Sequence, residues 1–185
     1  MLAYVFWHWP SPEHAAADYD ALQRAFHAAL AQTAPHGFQR SFAFRLDGRA
    51  PWLGGTPAYA DWYLVDDSAA LDPLNVAAVS GICEAPHNAV ARAMAAGAGS
   101  LFGAFTDLTS VGPARTITFV TKPRTTPYET FRIEIGNLPC ESLWRRQLVL
   151  GPTPEFALLS QSPLQIPATF NPLTVSMTPI WPSQP

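Results

Sequence analysis

Ala3-Tyr4-Val5-Phe6-Trp7-His8-Trp9 is a run of aromatic and β-branched residues that stops at Pro10. Such a run reads as a β-strand. Its alternation sets Tyr4, Phe6 and His8 on one face and Val5, Trp7 and Trp9 on the other, so both faces need cover. Working outward, Ser11-Pro12-Glu13 supplies an N-cap, a proline at the first helical position and an early acid. Ala16, Tyr19, Leu22, Phe26 and Leu30 then recur at three- and four-residue spacing, which predicts a helix over 12–33 ended by Pro35 and Gly37. Phe38, Phe42 and Phe44 up to Arg45 form a second strand, and a loop with Pro51-Trp52-Leu53-Gly54-Gly55 follows. Ala60 to Val65 is a third strand. Ser68 caps a helix carrying Leu71, Leu74, Val76 and Val79; Gly81 breaks it, Pro86 restarts it, and Gly97-Ala98-Gly99 stops it. Leu101 to Phe105 is the fourth strand. The order β-α-β-β-α-β is that of a ferredoxin-like unit, whose sheet has helices on one side and an apolar face on the other.

The rest of the chain can supply the lid. Ile117 to Pro123 parallels the opening strand, with Thr121-Lys122-Pro123 where His8-Trp9-Pro10 stood. Tyr128-Glu129 echoes Tyr19-Asp20 in a shortened helix ending near Gly136-Asn137. Leu143 to Leu150 matches the second strand, and Glu155 to Leu159 the third. Residues 167–177 read as a poor second helix, and Thr178 to Trp181 as a last strand. Most of the nineteen prolines fall from Pro113 onward, which favours turns and short elements there. The expected fold is therefore α+β, with a ferredoxin-like half at 1–110 and a degenerate second half at 115–185. Their antiparallel sheets would lie face to face as one unit. An unrelated β-rich appendage is the competing reading of the second part.

Composition narrows the function classes. Hydrophobic residues make up 48% and charged residues 14% of the 185, with 12% aromatic. Net charge is −3 and no basic run is longer than Arg145-Arg146, which argues against a nucleic-acid partner. No apolar run has the ~20 residues of a membrane helix, and the first ten residues lack the basic start of a signal peptide. Two cysteines, Cys83 and Cys140, fit a reducing, cytoplasmic setting better than a disulfide framework. No GxGxxG, GxSxG, GxxxxGK, HExxH or CxxC pattern occurs, so nucleotide binding, serine hydrolysis and a metal centre are all disfavoured. No cofactor is expected; a haem would need an axial ligand such as His8 or His87, neither of them specific.

In element order and spacing the chain resembles the dimeric α/β-barrel superfamily, which includes EthD-like and antibiotic-biosynthesis-monooxygenase-like proteins. In these, two ferredoxin-like sheets enclose a cavity. The resemblance implies a fused tandem copy, monomeric or homodimeric, that holds a small apolar or aromatic molecule between the sheets. Cofactor-free, monooxygenase- or isomerase-like conversion is the activity it implies.

Candidate residues follow from that placement. His8 is the one imidazole inside a strand, available as general base or ligand; a ring satisfied by a strand-end carbonyl is the plainer account. Trp62 and Tyr63 could stack on an aromatic ligand, and Arg45 or Arg145 could hold an anionic group. Pairing with Asp61 and Glu155, or solvation, is the alternative for the arginines. Cys83-Glu84-Ala85-Pro86-His87 could hold a thiol near an imidazole, but lacks a third orienting group. Against all these stands a non-catalytic structural or regulatory domain whose barrel is filled with aromatic side chains.

Overall fold

The computed structural model describes residues 1–48, 58–148 and 154–182. The loop read around Pro51–Gly55, the end of the strand read to Leu150 and the last three residues lie outside these. Eight strands run in the order β1 (Leu2–Pro10), β2 (Phe38–Asp47), β3 (Ala58–Val65), β4 (Met94–Thr109), β5 (Thr116–Val120), β6 (Ser142–Arg146), β7 (Phe156–Ser160) and β8 (Leu173–Trp181). Among the described residues four α-helices accompany these eight strands: α1 (Ala16–Thr33), α2 (Leu71–Ala78), α3 (Glu84–Ala93) and α4 (Tyr128–Gly136). The strands close into an antiparallel barrel in the order β1-β3-β2-β8-β5-β7-β6-β4. Strands 1–4 therefore stand side by side as β4-β1-β3-β2, and strands 5–8 as β8-β5-β7-β6. The seams are β2 with β8 and β4 with β6.

Closure gives every strand an inner and an outer face, and the sequence alternation decides which is which. Val5, Trp7, Phe44, Trp62, Phe119 and Trp144 point inward and are fully buried. Trp62 lies at the middle, with ring centroids 5.7 Å from Trp144, 5.8 Å from Phe102 and 6.5 Å from Trp7. These large rings fill the interior that the sequence reading reserved for a ligand. An eight-stranded barrel is just wide enough for side chains to fill it or for one small ligand, and here aromatic rings occupy its centre.

Several elements depart from expectation, each for a local reason. Helix α1 starts at Ala16, because Ser11 to His14 turn back on themselves, with the His14 amide bonded to the Ser11 carbonyl. The 68–97 helix is a series of short pieces, a 3-10 turn (Ser68–Ala70), α2, a second 3-10 turn (Gly81–Cys83) and α3. Gly97 and Gly99 do not stop a helix; they lie within β4, beneath the rings of Phe6 and Tyr4. A Cβ on Gly99 would come 2.6 Å from the Tyr4 hydroxyl oxygen, and one on Gly97 would enter the Phe6 ring. The glycines are there for ring clearance. Residues 167–177 form one 3-10 turn (Ala168–Phe170) and the start of β8. Pro172 bars a helix there, and Leu173-Thr174-Val175-Ser176-Met177-Thr178 alternates with a period of two. No helix among the described residues is long and apolar enough to cross a membrane.

Candidate functional site

The outer face of β1, β3 and β2 carries rows fixed by strand register. His8 faces Tyr59, which faces Arg45; Phe6 faces Asp61, which faces Ala43; Tyr4 faces Tyr63, which faces Ser41. Helix α1 covers these rows with Tyr19, Gln23, Phe26, His27 and Leu30, all buried. Beside Asp61 the small Ala43 leaves space in which the helix can set a ring.

Asp61 is the centre of the arrangement. It is 2% exposed and lies between two imidazoles that are fully buried. His8 Nε2 is 3.1 Å from Oδ2, and His27 Nε2 is 3.5 Å from Oδ1. Neither N–H aims squarely at its oxygen, so these are charge contacts more than hydrogen bonds. The far nitrogens are held by hydroxyls: His8 Nδ1 by Tyr19 at 2.7 Å, and His27 Nδ1 by Ser41 at 2.8 Å. Tyr63 donates its hydroxyl proton to Asp61 Oδ2 at 3.2 Å and stacks on His27. The result is a chain of polar groups, Tyr19–His8–Asp61–His27–Ser41, spanning three strands and a helix. Burial alone would raise the Asp61 pKa, but the charges of His8 and His27 override it and hold the carboxyl well below the usual range. Burial first, and then the Asp61 charge, push the Tyr63 phenol well above its ordinary value, so it remains a donor. Because each imidazole meets a different carboxylate oxygen, the set forms a row, and no three such side chains among the described residues could hold a metal ion.

A cavity of about 480 Å³ opens beside this row, between the sheet and helices α2 and α3. Tyr4, Phe6, Asp61 and Tyr63 form its floor, Phe26 one wall, and Leu71, Leu74, His87 and Val90 the roof and mouth. A mostly apolar hollow with a few converging polar groups is the usual form of a small-molecule site.

The residues singled out from sequence sort themselves against this geometry. His8 belongs to the buried row, behind Asp61. Tyr63 lines the cavity. Trp62, its neighbour in sequence, must face the other way and lies in the barrel core. Arg45 is on the same outer face, but its guanidinium is held by Asp20 at 3.2 Å, and Asp20 also accepts the Tyr59 hydroxyl at 2.9 Å. Arg145 is exposed on β6 and stacks over Tyr128, 5.1 Å from its ring centre. It does not join the cluster. Cys83 is buried against the Thr33 hydroxyl, whereas His87 turns to Phe26 and the cavity, so the two do not form a pair. His27, Tyr19 and Ser41 were missed as site residues. The signal was available in α1, where Tyr19, Gln23 and His27 repeat every four residues along the buried stripe.

No family model matches the chain, and no curated protein matches it. It is similar to a solved structure provisionally described as a chlorite dismutase, with 11% identity and a TM-score of 0.44, over 97% of this chain and 96% of the other.

Proposed function

We propose that the chain binds a small, largely apolar or aromatic molecule in the cavity outside the barrel and holds it at the ionised Asp61. The observation that carries this reading is an ionised carboxylate, bracketed by two buried imidazoles, on the floor of an aromatic-walled hollow. A structural core gains little from such a group, since a buried charge set is costly to desolvate and an apolar replacement is often neutral or better. In this reading His8 and His27 are positioning residues. They fix the carboxylate and keep it ionised, while Tyr63 donates to the bound molecule or to Asp61. The apolar walls exclude water and strengthen each of these contacts.

We also read the paired strand orders, β4-β1-β3-β2 and β8-β5-β7-β6, as two ferredoxin-like halves fused into a barrel of the dimeric α/β type. The second half would be a degenerate duplicate that closes the structure. A structural or regulatory role without a bound small molecule is favoured by one observation, the aromatic barrel interior, and the same experiment separates the two. Screening small aromatic compounds by melting shift on the wild-type chain and on Leu74→Trp, which fills the cavity, tests the proposal. Stabilisation lost in Leu74→Trp supports it. A set of compounds that stabilises both chains equally, or neither, would sink it.

A further inference from the structure

The charges around the cavity are one-sided. Asp61 and Asp72 both line it, and no lysine or arginine does so among the described residues. The nearest arginine on that face, Arg45, is committed to Asp20. His87, half-buried at the mouth, is the only basic group on the wall.

The polar contacts of Asp61 sharpen this account. His8 and His27 each spend Nδ1 on a hydroxyl, that of Tyr19 and that of Ser41, and turn Nε2 towards Asp61 without a well-aimed hydrogen bond. Tyr63 donates to Oδ2, while Oδ1 accepts no hydrogen bond among the described residues. A buried charge that is incompletely satisfied is expensive, and a ligand that supplies a counter-charge recovers part of that cost. The walls suit a cation as well, because the rings of Tyr4, Phe6, Phe26 and Tyr63 surround the space and aromatic faces attract positive charge.

We infer that the molecule bound here is an organic cation: a protonated amine on an apolar or aromatic body, with its ammonium group at Asp61 and its body between Phe6, Phe26 and Tyr63. This rests on the reading of the cavity as a small-molecule site and adds the class of molecule. An anionic ligand would meet two carboxylates and no lysine or arginine among the described lining residues.

A matched series separates the two claims. Binding of 4-phenylbutylamine, 4-phenylbutanol and 4-phenylbutyrate to the full chain is measured calorimetrically at pH 7.5 and constant salt. The amine is expected to bind at least tenfold more tightly than the alcohol, with the acid weakest. Asp61→Asn should remove that preference, bringing the amine to within about threefold of the alcohol measured on the same variant. Should Asp61→Asn fail to fold, the exposed Asp72→Asn serves, and it should weaken the amine by about two- to threefold and the alcohol not at all. If the alcohol or acid binds as tightly as the amine, the cation is wrong and the cavity reading survives. If none of the three binds, both fall.

Discussion

The outer faces of the barrel's two flanks are built alike and filled differently. Over strands 1–4 the helix-covered face holds the carboxylate of Asp61, two imidazoles, four phenols and an open hollow. Over strands 5–8 the same surface is dry, with Val120, Phe131, Ile135, Leu143, Phe156 and Leu158 packed together and Phe170 closing the end. The contrast is clearest at one pair of positions. Asp61 faces Phe6 across β3 and β1, and Leu158 faces Thr118 across β7 and β5. In the proposed reading of the flanks as two copies these places match, and leucine is the residue that only has to support the sheet. On the proposed function the carboxylate of the other flank answers a demand that folding does not make.

Exchanging the two residues attacks the comparison directly. Leu158→Asp puts a lone carboxylate among rings with no imidazole in reach, and should cost more than about 4 kcal/mol at neutral pH. Chemical denaturation should find that chain unfolded or nearly so. Asp61→Asn keeps the shape, removes the charge and leaves two imidazoles facing an amide; the expected loss is about 3 kcal/mol, the lower end for breaking a buried pair. If Leu158→Asp is tolerated as easily as Asp61→Asn, the two faces are less different than their packing indicates. If Asp61→Leu proves more stable than wild type, the comparison becomes sharper, because the carboxylate is then kept against stability.

The elements were legible where a period was long and unbroken. β1 shows its alternation plainly, and α1 is visible from Tyr19 to Leu30 because the apolar spacing persists for three turns. β8 was obscured by Pro172 and Pro179, which look like helix breakers in a chain already expected to hold a second helix there. The site was half legible. His8 stood out as an imbalance within an apolar strand, and Tyr63 as an aromatic on a half-polar one. The choice of Trp62 for the same wall failed on strand geometry, since neighbours 62 and 63 cannot share a face. His27 was hidden because a histidine on an amphipathic helix looks like a surface residue until the partner beneath it is known. The partner is Asp61, 34 positions further on, and only the packing of α1 on β3 brings them together. The hollow itself left no trace in the sequence, apart from Gly97 and Gly99.

Those glycines give a smaller test of the same contrast. Gly97→Ala should cost about 1–3 kcal/mol, because the added methyl occupies the space of the Phe6 ring and the ring must tilt into the cavity. Ligand binding should weaken with it. Gly103→Ala, also in β4, meets only the amide end of Gln147, an exposed and flexible side chain. It should change stability by less than about 0.5 kcal/mol and binding not at all. Equal effects at the two glycines would mean that the wall over Gly97 is not a fitted surface.

The smallest expected effect is a slope. Asp61 has its carboxyl pKa lowered in the folded chain, against burial, by the charges of His8 and His27. Below the unfolded carboxylate value of about 3.9 the unfolded chain then binds a proton at this residue that the folded chain does not. Stability from this source is complete above that pH and drains away as the pH falls through it towards the lower folded value. Melting temperatures of wild type should thus drop more steeply from pH 4 to pH 2 than those of Asp61→Asn, all other carboxylates being common to both. Leu158→Ala supplies the control from the dry flank: it lowers the melting temperature by a constant amount and leaves the slope as in wild type. Parallel lines for Asp61→Asn and wild type would show that the two rings do not hold the carboxylate ionised, and that the charge at the centre of the polar flank is not what sets it apart from the dry one.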